Sequence, residues 1–356
     1  MTAYLNRVST AVPPSDVHQA FTDFALSQLR DQRREARLFA RLAGRCGIEH
    51  RYSHIEPTGQ PGHDALDSDR LFVRGSFPDT GSRMRFFEEH APALAAEAVN
   101  RLLEPDERAG ISHLLVTCCT GLYSPGIDLE LIERCGLKSS VERSTLGFMG
   151  CYAAINALRL ARHIVRSEPS ARVLIVSAEL CTLHLKETTD LEELLSFLLW
   201  GDGAAACLVT SDPRGFALDR FHAILAEGTQ DLITWRVRNS GFDMLLSGQV
   251  PSAIQDALIR DIDRILDGGT TDAIDLWAVH PGGRSVLDAV ERALELPSEA
   301  LSVSRDTLRR FGNLSSATVL FVLETMLRST PEGASGCAMA FGPGVVAETM
   351  LFHAVG

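Results

Sequence analysis

The sequence predicts an α/β fold of stacked sheets and helices built from two related halves, on three observations. Short apolar runs alternate with segments of helical periodicity, the chain repeats itself at a fixed offset, and its 356 residues exceed the size at which one hydrophobic core usually stops growing. In chain order, the spacing first predicts a helix around 30–45. Arg30, Arg33, Arg34, Arg37, Arg41 and Arg45 recur there every three or four residues, with Leu38, Phe39 and Leu42 on another face. That stripe reads equally as a solvated face, partly partnered by Asp31 and Glu35, or as a site for an anion. The polar stretch 57–74, with its Gly and Pro, reads as a surface loop. Helical periodicity marks 91–103, 151–166, 252–267, 285–294 and 315–328, and strand-like runs fall at 114–117, 173–177, 204–209, 276–279 and 337–341. The turn-rich Ser211-Asp212-Pro213-Arg214-Gly215 closes the first set, so the halves are expected at 1–213 and 214–356.

Laid over itself at an offset of 162, the chain places Leu114 on Leu276, Gly121 on Gly283 and Gly150 on Gly312. The same offset sets Cys151 opposite Asn313. Each follows a glycine and opens an apolar, small-residue stretch: Ala153, Ala154, Ile155 and Leu158 in one copy, Ala317, Val319, Leu320 and Leu323 in the other. Chance similarity of two buried strand–turn–helix units is the plainer alternative. A duplicated unit would bring two helix N-termini face to face, the cysteine on one and the asparagine on the other.

Composition narrows the class. Apolar residues make up 45% and charged residues 22%, ample for a large core. No apolar run approaches the roughly 18 residues of a membrane span, and Met1-Thr2-Ala3-Tyr4-Leu5-Asn6-Arg7 has no apolar signal region, so a cytoplasmic protein is expected. The eight cysteines include no CxxC pair and sit mostly among apolar neighbours, which points to reduced thiols and no metal site. A formal net charge of −12 argues against nucleic acid as a partner.

Three residues carry chemistry. Cys151 follows Gly150 at the start of a helix, where unpaired N–H groups and a nearby imidazole would favour its thiolate; an inert buried thiol is the alternative. His280 ends an apolar strand and precedes Pro281, Gly282 and Gly283, glycines that leave room for a ligand against the backbone. Asn313 could cap its helix or donate its amide to an oxyanion. If the three converge, they can activate a thiolate and polarise a thioester carbonyl, so acyl transfer is the first expectation.

Gly-Phe-Met-Gly-Cys at 147–151, His-Pro-Gly-Gly at 280–283, Gly-Asn-Leu-Ser-Ser-Ala at 312–317 and Gly-Pro-Gly at 342–344 stand in order with characteristic separations. Together with Cys-Thr-Gly-Leu-Tyr-Ser-Pro-Gly-Ile-Asp at 119–128 and Gly-Asp-Gly-Ala-Ala-Ala at 201–206, they resemble the type III polyketide synthases, the chalcone synthase-like enzymes. The resemblance implies a duplicated thiolase-type αβαβα fold, a homodimer, and no cofactor beyond CoA thioesters as substrates. It implies that Cys151 takes a starter acyl group from acyl-CoA, and that His280 and Asn313 hold the thioester carbonyl of malonyl-CoA as it loses CO₂. Iterated condensation and cyclisation would give a pyrone, resorcinol or phloroglucinol-type product.

By the same resemblance Cys119, Thr120, Cys181 and His184 shape the starter and cyclisation pockets, and His184, if turned inward, shortens one arm. Trp200 and Met244 stand at a gate that is commonly two phenylalanines, with Phe242 as the competing match for Met244. Arg45 and Arg51 fall near residues that grip CoA, where Glu49 replaces a frequent lysine. Three rivals remain: a 3-oxoacyl-carrier-protein synthase III-like enzyme condensing once, a papain-like protease, and a non-catalytic acyl-binding homologue.

Overall fold

The computed structural model describes residues 1–58 and 64–356. Part of the expected loop 57–74 therefore lies outside the described residues. Its described ends form isolated bridges and turns, among them Ala65 with Val73.

The strands are β1 (Tyr4–Ala11), β2 (Ser15–Asp16), β3 (Tyr52–Ser53), β4 (His113–Cys118), β5 (Glu142–Gly147), β6 (Val173–Leu180), β7 (Asp202–Thr210), β8 (Gly215–Leu225), β9 (Ile233–Arg238), β10 (Gly241–Leu246), β11 (Leu276–Val279), β12 (Ser335–Gly342) and β13 (Val346–Val355). The helices are α1 (His18–Gln28), α2 (Arg33–Ala43), α3 (Thr80–Leu102), α4 (Ile127–Cys135), α5 (Ala153–Ser167), α6 (Leu191–Phe197), α7 (Val250–Ile265), α8 (Arg284–Ala293), α9 (Ser302–Phe311) and α10 (Thr318–Leu327). Nine strands join in the order β11-β12-β13-β8-β1-β7-β6-β4-β5, with β1 and β8 pairing antiparallel at the middle. The offset of 162 reappears in three dimensions, since β6 at 173–180 maps onto β12 at 335–342 and β4 onto β11.

Why the strands read as continuous apolar runs is clear from what each face touches. Along β6 and β7, Val173, Ile175, Ala205, Cys207 and Val209 turn to α5 and α10, while Leu174, Val176, Ala204, Ala206 and Leu208 turn to α3 and α4. On the other side Ala278, Ala338 and Ala340 meet α5 and α10, and Trp277, Val279, Cys337, Met339 and Phe341 meet α7, α8 and α9. The result is helix, sheet, helix, sheet, helix: the five-layer thiolase-type arrangement. Small residues at Ala154, Ala157 and Ala161 of α5 and Ala317 before α10 let the two inner helices sit close. All described helices are too short or too polar to cross a membrane.

Candidate active site

Both inner helices begin at the same place. β5 ends at Gly147, the chain turns through Phe148 (φ 56°) and Gly150 (φ 82°), and Cys151 lies in that turn, two residues before α5 starts. The helix therefore starts slightly later than its periodicity suggests. A Cβ at Gly150 would stand 2.3 Å from Cδ of Pro343, so both the left-handed backbone and the space demand glycine. Opposite, Gly312 (φ 71°) carries the chain out of α9 into Asn313, ahead of the 3₁₀ turn 315–317 and α10. Asn313 is pinned on both sides: its N–H donates to the Leu199 carbonyl (2.7 Å), and its carbonyl accepts from the Gly201 N–H (3.0 Å).

The amide of Asn313 has a fixed orientation. Its Oδ1 accepts from the Ser315 N–H (2.9 Å), as a helix cap would, which leaves Nδ2 to face the cavity and donate to the Gly282 carbonyl (3.3 Å). Capping and donation are thus two uses of one side chain. His280 stands at the end of β11, its N–H donating to the Met339 carbonyl (2.7 Å). Neither ring nitrogen of this buried histidine has a hydrogen-bond partner among the described residues, and the same is true of Trp200 Nε1. Buried polar atoms left unpaired cost about 1–3 kcal/mol each, so native structures keep few of them without a purpose.

Cys151, His280 and Asn313 line one cavity. Its walls are mostly apolar, from Phe148, Trp200, Ile233, Trp235, Met244 and Phe341 among others. No hydrogen bond joins Cys151 to His280, the imidazole expected to favour its thiolate; Sγ instead lies 3.9 Å from Ser315 Oγ. Burial pushes the Cys151 thiol up to about 12, against smaller opposing contributions from Ser315 and Asn313. It also pushes the His280 imidazole down to about 3. Both effects oppose an isolated charge. A pair of opposite charges, formed by passing the Sγ proton to the imidazole, is opposed less than either charge alone.

Cys119, Thr120 and Cys181 also line the cavity. Behind them the fully buried Glu179 side chain accepts from the Cys119 N–H (3.0 Å), Thr120 Oγ1 (2.8 Å) and Ser316 Oγ, tying the 119–120 segment to the turn that follows Asn313. Burial pushes the Cys119 and Cys181 thiols well above their ordinary range. At the gate, Met244 faces the cavity, while Phe242 packs one layer back. Gly282 is shared between the cavity and an open outer groove, which Gly283, Arg45, Arg284 and Glu192 also line.

Two expectations need correction. His184 does not shorten the cavity from its wall. It stands behind, stacked on Phe242 at 4.2 Å, with Nε2 against the Thr120 carbonyl (2.7 Å) and Nδ1 accepting from the Phe242 N–H (3.1 Å). Burial lowers its pKa to about 3, below the unfolded value near 6.5. The unfolded chain therefore takes up the proton first, and stability falls as pH drops from about 6.5 toward 3. Melting temperature should be lower at pH 5 than at pH 7, and His184→Gln should narrow that gap. An equally wide gap in the variant would count against this origin.

Arg51 does not line the outer groove. It is wholly buried, donating to the carbonyls of Phe197 (2.6 Å) and Trp200 (3.1 Å) and to His18 Nδ1 (3.0 Å). These bonds hold the 197–201 segment that in turn clamps Asn313. Glu49, in place of lysine, pairs with Arg309 (2.6 Å). Replacing Arg51 by Met keeps the bulk and strands the buried acceptors, so denaturant titration should show a loss of about 3 kcal/mol. An unchanged midpoint with a raised KM for CoA substrates would restore the sequence-based role.

Trp235 and Phe148 were not anticipated. Trp235 lies on the β9–β10 hairpin opposite Met244 and donates Nε1 to the Cys119 carbonyl (2.7 Å). The signal was present in the β-prone Ile233-Thr234-Trp235-Arg236-Val237 run before the turn at Asn239-Ser240-Gly241.

Comparison with known proteins bears on this cavity. The family profile described as "Chalcone and stilbene synthases, N-terminal domain" matches residues 2–213, and the one described as "Chalcone and stilbene synthases, C-terminal domain" matches 221–356. The chain belongs to this family, the type III polyketide synthases. The chain is 34% identical over 306 residues to "Alpha-pyrone synthesis polyketide synthase-like Pks18" of Mycobacterium tuberculosis, covering 82% of this chain and 78% of that protein. It is 33% identical to "Bisdemethoxycurcumin synthase" of Oryza sativa subsp. japonica, covering 98% and 91%. Among solved structures, PKS-I from the brown alga Ectocarpus siliculosus superposes with a TM-score of 0.88 at 28% identity, covering 99% of this chain and 98% of that one. The type III polyketide synthase domain of Steely1 from Dictyostelium shares the fold, with a TM-score of 0.90 at 22% identity and full coverage of both chains. As a type III polyketide synthase, the enzyme is an acyl-transferring condensing enzyme that uses CoA thioesters, acyl-CoA and malonyl-CoA, without a cofactor.

Proposed function

We propose that Cys151 carries the growing acyl chain as a thioester, and that His280 and Asn313 hold malonyl-CoA while it decarboxylates. The observation that supports this most is the buried His280 ring, whose two nitrogens, unpaired among the described residues, share a mostly apolar cavity with the Cys151 sulfur and the oriented Asn313 amide. His280 takes the thiol proton as Cys151 attacks the starter thioester; the bond from the acyl carbonyl to the CoA sulfur breaks, and CoA leaves as a thiol with that proton, so His280 is neutral again. Malonyl-CoA then loses CO₂, and the enolate oxygen receives hydrogen bonds from the Asn313 amide and the His280 ring. Neutral donors stabilise that oxyanion without protonating the carbanion, which attacks the acyl-Cys151 carbonyl; the bond to the Cys151 sulfur breaks, the lengthened chain stays on CoA, and thioester exchange returns it to Cys151 before the next extension.

Substrates enter by the outer groove, past Gly282 and Gly283, with Arg45 at its rim. Trp200, Met244, Cys119, Thr120 and Cys181 set how far the chain can grow. Repeated condensation ends in a pyrone, resorcinol or phloroglucinol-type ring; the relative named for alpha-pyrone synthesis favours the pyrone. The two halves, 1–213 and 214–356, supply Cys151 on one side and His280 and Asn313 on the other. A homodimer is in keeping with β5, which ends the sheet with Glu142, Arg143, Ser144 and Thr145 exposed and is followed by the exposed Met149. Products made from isotope-labelled malonyl-CoA and a panel of acyl-CoA starters should carry two or more malonyl-derived units by mass. A product with one unit in every case would point instead to a single-condensation enzyme.

A further inference from the structure

On a chain of net charge −12, α2 gathers Arg33, Arg34, Arg37 and Arg41 within eleven residues, with Glu35 as its one acid. All four arginines are exposed, and none has a carboxylate partner among the described residues. Phe39 anchors the helix against Leu194 and Leu198, so the opposite face looks outward. Leu38 and Leu42, 41% and 38% exposed, border that face on the side that turns toward Phe39, and Leu42 with Arg45 forms the rim of the groove that leads to Cys151. Arg37 and Arg33 stand about 8 and 14 Å from Leu42 along the helix axis. They extend the positive surface away from the groove, where a small ligand seated within it gains little from them.

We propose that this stripe docks an acidic acyl carrier domain, which presents its thioester through the groove, so that the starter reaches Cys151 from a carrier protein as well as from CoA. The proposal rests on the reading of Cys151 as acyl acceptor. Cys151 sulfur attacks the carrier thioester carbonyl, the bond to the carrier's pantetheine sulfur breaks, and that sulfur leaves as a thiol with the proton lost by Cys151. A row of cations bordered on one side by two half-exposed leucines matches a protein face of acids beside a small apolar patch. An anionic membrane is the weaker fit, because two half-exposed leucines offer little apolar area and the protein as a whole is acidic.

The test compares Cys151 acylation, by intact mass, from the best acyl group of the starter panel presented on CoA and on an acidic holo carrier protein. In Arg33→Glu/Arg34→Glu/Arg37→Glu, acidic side chains fall in the first turn of α2, where they suit the helix. Wild-type enzyme should be acylated by both donors, at a carrier rate that falls with added salt. The variant should lose about tenfold or more with the carrier and less than about twofold with acyl-CoA, as expected for charges that steer association. Wild-type acylation by acyl-CoA alone, or equal loss with both donors, overturns the proposal. So does variant loss of binding to anionic phospholipid vesicles with an unchanged carrier rate. No adduct from either donor removes the acyl-acceptor reading itself.

Discussion

Cys151→Ala should make no detectable polyketide, a loss of at least about 10⁴-fold, while still releasing CO₂ from malonyl-CoA. The two effects separate because the cavity divides the labour. In the proposed mechanism the sulfur holds the electrophile, and the hydrogen-bond donors across the cavity hold the nucleophile. Alanine removes only the first, and leaves Asn313 in place, its side-chain amide held by the Ser315 N–H and its backbone N–H by the Leu199 carbonyl. Labelled malonyl-CoA followed by headspace CO₂ and by product mass reads both halves of the reaction in one experiment. Retained product would show that another thiol, Cys119 or Cys181, carries the chain.

Asn313→Ala should have the converse signature: decarboxylation itself falls by about 10²–10³-fold, the usual cost of losing one oxyanion donor. Acylation of Cys151 by the starter should persist, because the sulfur and His280 remain. The substitution also takes the cap from the Ser315 N–H, a stability cost of about 1 kcal/mol, so thermal melting should be checked alongside. Asn313→Asp keeps the cap but replaces the donor with an acceptor, and should be as poor in decarboxylation. Near-normal CO₂ release from the aspartate variant would contradict the donor role.

Much of this was legible in the chain because a duplicated unit repeats its turns. Gly150-Cys151 and Gly312-Asn313 announce themselves as matched positions, and the alternation of both-face-buried strands such as β6 with helices such as α5 fixes the layers. What resisted reading depends on where a side chain points. Arg51 lies near the other arginines in sequence, and only the fold shows that its guanidinium turns inward to the carbonyls of Phe197 and Trp200. His184 lies three residues from the cavity-lining Cys181 yet packs behind the wall, because the 3₁₀ turn 181–184 swings it toward Phe242. Trp235 belongs to a hairpin separate from the main sheet, so neither the repeat nor the layer pattern points to it.

The most direct measurement is peptide mass mapping of the enzyme quenched during turnover with a starter acyl-CoA. The account predicts the acyl mass on the peptide containing Cys151, and its absence from those containing Cys119 and Cys181. Product formation with Cys151 unmodified throughout, or an adduct confined to either of the other two, would contradict it.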